Sequence, residues 1–152
     1  MMRSKEQSTS FSLPTGKQQR LTWKGYSRAF EATSFVIPER KWMFDCGCKV
    51  VGWRPTHIFL THTHVDHIQY LARLLLVDDV SFKTTTITHV YFPAASLRAI
   101  KEHLTAFYNM IQDDGAATVD DMRELEDTFR FVLTPLESGQ EFKLPNVSSM
   151  EC

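Results

Sequence analysis

Short apolar runs separated by polar turns fill the first half of the chain. β-favouring residues cluster at four places, which are residues 21–23, 32–37, 42–44 and 58–60. Runs of this length and composition, bounded by turn residues, predict β-strands. The two runs on either side of the polar turn at residues 38–41 are typical of a hairpin. The folded region is therefore predicted to begin near Leu21 as a series of strands.

After residue 67 the apolar spacing changes from that of a strand to that of a helix. Apolar residues recur at three- and four-residue steps, at Ile68, Leu71, Leu74 and Leu75. This stripe predicts a helix packed on a sheet. The β-branched and aromatic run at residues 84–92 predicts a further strand that ends at Pro93.

The rest of the chain repeats this alternation. Ser96 is a good N-cap for an amphipathic helix that extends to about Ile111, and a second helix is predicted over residues 119–128. A strand over residues 129–133 and the start of another within residues 135–142 follow. Strands and helices alternating in this order predict an α/β fold with a mixed sheet and outer helices.

A dense polar cluster lies where the strand at residues 58–60 gives way to the helical pattern. Its members are His62, His64, Asp66 and His67. Alternate side chains of an extended chain share a face, so His62 and His64 can point at one ion from the strand end. Asp66 and His67 lie on the following turn and can be directed at a second ion. Imidazole and carboxylate ligands suit zinc, and an open coordination position can activate water.

Two residues just before the motif strand are candidates for supporting the metal loop. Asp45 can accept hydrogen bonds from loop amides, and Gly47 can adopt a turn that a Cβ would strain. A plain turn explains this pair equally well, but their position favours the supporting role. We assign a polar or packing role to His57, which lies just before the motif strand, and a structural role to His89, which falls inside the strand predicted at residues 84–92. His103 is predicted to face solvent.

The composition is that of an ordinary globular chain. Its 152 residues are 43% hydrophobic with a net charge of -1, so nucleic-acid binding would need a local basic patch. No apolar run is long enough to span a bilayer. Three cysteines without framework spacing favour free thiols and a cytoplasmic or nuclear location. Residues 1–20 are predicted to be a flexible segment, whose basic residues leave mitochondrial targeting open, before a domain over residues 21–152.

Residues 61–67, Thr-His-Thr-His-Val-Asp-His, resemble the signature of the metallo-β-lactamase superfamily, in which this motif follows a buried strand and opens a helix. An Asp-x-Gly like that of Asp45 and Gly47 recurs upstream of the motif in the same superfamily. The resemblance implies an αββα sandwich of mixed sheets with outer helices. It also implies a two-zinc site held by His62, His64, Asp66 and His67. Asp66 would in addition handle a proton at the attacking water.

Within the superfamily, the chain most resembles the ribonuclease Z group, the endonucleases that process the 3′ end of transfer RNA. Residues 90–93 and 133–136 carry this second level of resemblance, whereas Tyr70 stands where that group usually has a glycine. The resemblance implies a zinc-dependent endonuclease that acts on precursor transfer RNA.

The superfamily completes its two-metal site with two further histidines and a bridging aspartate, all downstream of the motif. His89 and His103 are the only later histidines here, and neither lies in a ligand-like context. We therefore expect the N-terminal part of a sandwich, incomplete at its C-terminus, with a partial zinc site and little or no turnover. Two alternatives stay open. One is a non-catalytic chain that binds a partner, such as a second copy or a full-length paralogue, and the other is a different phosphodiesterase or esterase of the superfamily.

Overall fold

The chain is described, in a computed structural model, over residues 7–12, 20–77, 86–112 and 117–145. A mixed β-sheet with helices packed against it accounts for most of these residues. The predicted α/β class is confirmed at this level. Across the described ranges, no helix is both long enough and apolar enough to cross a membrane.

Within the described residues, seven strands lie side by side in the order of the sequence. They are β1 (Gln7–Ser12), β2 (Arg20–Arg28), β3 (Ala32–Ile37), β4 (Trp42–Phe44), β5 (His57–Phe59), β6 (Thr88–Pro93) and β7 (Phe131–Leu136). Strands β1 to β4 pair antiparallel, and β4 to β7 pair parallel. The carboxyl ends of the last four strands therefore meet at one edge of the sheet.

Four α-helices occur in the part of the chain that the structure describes, namely α1 (Val65–Ile68), α2 (Leu71–Leu76), α3 (Leu97–Gln112) and α4 (Met122–Phe129). Because parallel strands need crossover connections, α1 and α2 link β5 to β6, and α3 and α4 link β6 to β7. The helix predicted from Ile68 is interrupted at Gln69 and Tyr70. The Tyr70 N–H donates to the carbonyl of Cys46 at 2.9 Å instead of to its own helix, and this bond separates α1 from α2.

The core lies between one face of the sheet and the helices. Four directly neighbouring strand residues are 0–1% exposed, and these are Val36, Met43, Ile58 and Val90. The helices cover them with Leu71, Leu75, Ile100 and Leu104. Burying each such side chain contributes roughly 1.5–3 kcal/mol. The apolar stripes predicted after residue 67 are therefore the helix surfaces that form this core.

The opposite face of the sheet carries a row of rings, here named the aromatic face, made of Trp23, Trp42, Phe44, His57, Phe59, His89 and Tyr91. Centroids of neighbouring rings are 5.0–5.2 Å apart from Trp23 through Phe44 and Phe59 to Tyr91. His57 stacks on His89 at 5.4 Å, which agrees with the packing roles predicted for both.

Residues 137–145 cross the aromatic face after β7. The ring of Phe142 stacks on Tyr91 at 4.9 Å, and the carbonyl oxygen of Pro145 lies 3.2 Å from Nε2 of His57. The strand predicted to start within residues 135–142 is therefore absent from this described stretch. Its residues make side-chain and single backbone contacts with the sheet face instead of pairing at the sheet edge.

The predicted start of the folded region at Leu21 is wrong, because β1 precedes it. Six backbone positions pair β1 with β2, from Gln7 opposite Gly25 to Ser12 opposite Arg20. The composition of this segment did not reveal a strand, since an edge strand is held by backbone hydrogen bonds rather than by apolar side chains. The other residues of the predicted flexible segment, 1–6 and 13–19, lie outside the described residues, as do 146–152 of the predicted domain.

The N-cap predicted at Ser96 also differs. Ala94–Ser96 forms a 3₁₀ turn that runs directly into α3. The Ser96 hydroxyl lies 3.3 Å from that of Thr63, in the motif loop. This side chain therefore joins the carboxyl edges of β5 and β6. The predicted strand at residues 84–92 begins at Thr88, with residues 84 and 85 outside the described part.

Candidate metal centre

The four predicted ligands lie at the edge where the parallel strands end. β5 ends at Phe59, and α1 begins at Val65. His62 and His64 stand in the connection between them, and Asp66 and His67 belong to α1. Open parallel sheets bind ligands outside the carboxyl ends of their strands, where connecting loops gather side chains. The predicted strand-to-helix setting of the motif is what the structure has.

Three imidazole rings come together at this edge. The ring centroid of His62 lies 4.5 Å from that of His64 and 4.0 Å from that of His67. Oδ2 of Asp66 is 3.6 Å from Nε2 of His67. The His64 side chain is exposed, whereas His67 and Asp66 are largely covered. His62 thus lies close to both other histidines, although spacing alone assigned His67 to a second ion.

The buried carboxylate of Asp45 is hydrogen-bonded to the motif loop. Only 4% of this residue is exposed, and its carboxylate faces the motif. Oδ1 accepts hydrogen bonds from the Thr61 backbone N–H at 2.8 Å and from the Thr61 hydroxyl at 3.0 Å. Oδ2 accepts one from Nδ1 of His67 at 2.9 Å. The predicted supporting role of Asp45 therefore has a specific form, in which one carboxylate contacts two positions of the motif loop.

In two of the three histidines, His62 and His67, these bonds determine which ring nitrogen is free. A carboxylate only accepts, so Nδ1 of His67 carries the proton and Nε2 of the neutral ring is left as a ligand atom. The single hydroxyl proton of Thr61 is donated to Asp45, and Nδ1 of His62, 2.9 Å away, must then donate to that hydroxyl. Asp45 thus sets the tautomer of His67 directly and that of His62 through Thr61.

Gly47 is required by close approach of the motif loop. A Cβ at this position would overlap the carbonyl oxygen of Asp66 and come within 2.6 Å of the backbone nitrogen of Thr33. The left-handed residue of this turn is Asp45, with φ of 54°. The prediction that Gly47 supports the loop therefore had the wrong reason, because space rather than backbone conformation excludes a side chain there.

Backbone bonds fasten the same turn to its neighbours. The Cys46 N–H donates to the carbonyl of His67 at 2.6 Å, and the Gly47 N–H donates to that of Thr33 at 2.9 Å. The residues after β4 thus hold both β3 and the last residue of the motif. They anchor the loop that carries the histidines without using a side chain.

An open cleft of about 640 Å³ lies beside the motif. Its lining residues are Ser27, Ala29, Phe30, Thr33, His64, Val65, Asp66 and His67. One wall is the turn between β2 and β3, and the other is the start of α1. Sequence pattern did not predict the wall formed by the β2–β3 turn, nor the contacts of Thr61 with Asp45 and of Ser96 with the motif loop. The one signal available for Thr61 was a hydroxyl residue directly before the first motif histidine.

The side chains of the cluster are of the types that bind zinc, but their present rotamers do not form a zinc site. Among the described residues, no group of three or more His, Cys, Asp or Glu side chains is arranged to hold an ion as it stands. Zinc requires nitrogen and oxygen atoms about 2.0–2.2 Å from the ion. The two free Nε2 atoms of His62 and His67, fixed by Asp45, are the ligand atoms that such an ion needs, and the exposed His64 has room to rotate.

The remaining histidines lie away from the motif. The pKa of His57 is lowered by burial and by the neighbouring His89, and burial also lowers the pKa of His89. His103 on α3 is half-buried rather than solvent-facing, and its Nε2 has no hydrogen-bond partner among the described residues. Burial lowers its pKa as well, because an apolar surrounding disfavours the charged ring.

A scan against protein-family models and a search of curated proteins returned no match to this chain. The chemistry of the site therefore rests on its own residues and their geometry.

Proposed function

We propose that this chain is a zinc-dependent phosphodiesterase of the metallo-β-lactamase type, similar to ribonuclease Z, with the 3′ end of precursor transfer RNA as its substrate. The observation that carries the proposal is the cluster of His62, His64 and His67, together with the buried Asp45 that fixes the tautomers of two of them. A buried carboxylate that orients an imidazole is the usual outer partner of a histidine metal ligand. A purely structural histidine cluster would not need it.

The proposed ligands are His62, His64, Asp66 and His67. Zinc bound there would polarise a phosphodiester and lower the pKa of a coordinated water. In the neutral rings of His67 and His62, the bonds from Asp45 place the proton on Nδ1 and leave Nε2 as the ligand atom, and Gly47 allows the loop to approach β3 closely. Asp66, beside His67 and lining the cleft, is the residue proposed to accept a proton from the attacking water.

The proposal extends to the fold. Sheet, helices and motif position are compatible with one half of an αββα sandwich, whose second sheet would cover the aromatic face. The rings of Trp23, Trp42 and Phe44, which are only partly buried, support this assignment. Because the four proposed ligands come from one short stretch of chain, we expect modest zinc affinity and slow turnover.

Zinc content of the purified chain is the test. After equilibrium dialysis against zinc, elemental analysis should find about one or two equivalents above the dialysis buffer in the wild type and a clear loss in His64→Ala. His64 is exposed, so its replacement should not affect folding. The matched control is His103→Ala, a histidine outside the cluster, which should retain the metal.

Cleavage of a precursor transfer RNA with a 3′ trailer should require zinc and should be lost in the same His64→Ala protein. Cleavage that continues in excess chelator, or a wild-type chain that retains no zinc, would refute the proposal. Loss of zinc binding in the control alone would also count against the assigned ligands.

A second function is favoured by the aromatic face itself. Rings that are partly exposed on a sheet suit a non-catalytic chain that binds a partner. In that case His64→Ala would leave the effect of the chain unchanged, whereas replacing Trp42 or Phe44 would abolish it. If the chain is instead another phosphodiesterase or an esterase, His64→Ala should abolish its activity, and the wild type should not cleave precursor transfer RNA.

A further inference from the structure

The turn between β2 and β3 presents an aromatic ring beside the candidate metal centre. Phe30 at its tip is 96% exposed, although phenyl rings are normally driven out of water. Its φ of 63° lies in the left-handed region, where a side chain is disfavoured and glycine is the usual residue. Two unfavourable features at one position indicate a role outside folding.

The turn is held in place by contacts on both sides. Across the tip, Arg28 forms an ion pair with Glu31 at 2.8 Å, and the Glu31 N–H donates to the Arg28 carbonyl at 3.0 Å. The Tyr26 hydroxyl donates to the Glu31 carboxylate at 2.7 Å. From the residue that follows α1, the Gln69 side chain donates to the Glu31 carbonyl at 2.6 Å. The ring therefore projects from a turn whose position is fixed relative to the motif.

A second exposed apolar side chain lies on the same cleft. Val65, the residue between His64 and Asp66, is 68% exposed. Val65 and Phe30 together form an apolar surface of the cleft, next to the histidines and the carboxylate. The hydroxyls of Ser27 and Thr33, 3.1 Å apart, form a polar surface of the same cleft. A ligand whose reacting group lies at the motif would bring its neighbouring group against Phe30.

We infer that Phe30 and Val65 form a stacking site for an unpaired nucleobase adjacent to the scissile phosphate. This inference rests on the proposed function, because the phosphate is what places the base. A planar base is the group that gains most from an exposed phenyl face, and stacking tolerates any base sequence. The chain has no excess of positive charge, so its electrostatic attraction to phosphates is weak. Stacking contacts would therefore contribute to the affinity for nucleic acid.

Fluorescence anisotropy of the zinc-loaded full chain with a labelled single-stranded oligoadenylate tests the site, with probe integrity checked on a gel. Phe30→Ala should raise the Kd about 5- to 30-fold, and Phe30→Trp should leave it close to the wild-type value. An abasic ribose-phosphate strand of equal length should bind wild type and Phe30→Ala alike. Met110→Ala truncates another exposed apolar side chain, away from the cleft. It should change neither the Kd for oligoadenylate nor the Kd for the abasic strand.

Phe30→Gly separates binding from folding. Glycine adopts the required φ without a Cβ penalty, so this variant should unfold at the same or a higher temperature than the wild type, yet bind oligoadenylate as weakly as Phe30→Ala. Equal oligoadenylate affinity in the wild type, Phe30→Ala and Phe30→Gly would overturn the stacking site.

The two proposals fail in different ways. Zinc retention and cleavage that depend on His64, with no effect of Phe30 on oligoadenylate, would leave the proposed function in place and remove the stacking site. A chain that neither holds zinc nor cleaves precursor transfer RNA would remove both, because the phosphate that places the base would then have no site.

Discussion

Replacing Asp45 by asparagine is the sharpest test of how the candidate metal centre is built. Asparagine has the same shape and tolerates the left-handed φ of 54° that Asp45 adopts, so the backbone should not change. An amide, however, has one accepting oxygen where the carboxylate has two. If that oxygen keeps the bonds from Thr61, the amide nitrogen faces His67, whose Nδ1 must then accept. The proton of His67 would move to Nε2, the atom proposed to bind metal.

The magnitude follows from the burial of Asp45. Its bond from His67 is 2.9 Å long, and the carboxylate is almost fully covered. A hydrogen bond to a charged group contributes about 1.5–3 kcal/mol. For a chain of this size the loss corresponds to a fall in melting temperature of about 3–12 °C without metal. Loss of such an outer partner should also weaken zinc binding by about 10- to 100-fold.

Thermal unfolding in chelator and zinc titration calorimetry measure the two effects separately. Asp127→Asn on α4 is the matched control, because it makes the same charge change at an exposed position away from the motif. It should alter neither quantity measurably. An Asp45→Asn protein that melts and binds zinc like the wild type would refute the tautomer argument. A protein that is destabilised but binds zinc normally would reduce Asp45 to a structural role.

Two further predictions concern stability. Gly47→Ala should lower the free energy of unfolding by about 1–3 kcal/mol in urea titrations, since the added Cβ meets the backbone of Asp66, whereas Gly52→Ala, with nothing within 4 Å, should have little effect. The lowered pKa values of His57 and His89 mean that the unfolded chain binds protons more readily than the folded one, so stability should be complete above about pH 6.5 and fall as the pH drops below it. A His57→Gln/His89→Gln variant should lose less stability as the pH drops. The same loss as in the wild type would contradict the assignment of this pH dependence to His57 and His89.

Local pattern predicted most of the fold because side-chain burial dominates its central elements. The strand at residues 32–37 and helix α2 are buried along most of their length, and both are rich in the apolar residues that such elements need. Pattern failed where tertiary bonds decide. β1 is held by pairing with β2, and the break at Tyr70 follows from a bond to Cys46, a residue distant in sequence. Neither contact has a signature in the local sequence.

For the candidate site, residue types predicted the cluster but not its outer partners. Histidine and aspartate at this spacing indicate metal chemistry whatever the fold. The relay through Thr61 and the stacking position of Phe30 depend instead on which loops the sheet brings together. A hydroxyl beside a histidine and a phenylalanine in a polar turn are common in sequences, so neither attracted a functional assignment until its neighbours were known.

The pairing of β4 with β5 is the feature from which the whole site follows. Phe44 lies opposite Phe59 in this parallel pair, so the segments that follow the two strands begin next to each other. The Asp45 N–H donates to the Phe59 carbonyl at 2.9 Å, which carries the pairing one step beyond β4. From that position the carboxylate reaches Thr61 and His67 across a single strand spacing of about 4.8 Å. A shift of one residue in this register would turn the Asp45 side chain to the opposite face and leave both histidines without their orienting partner.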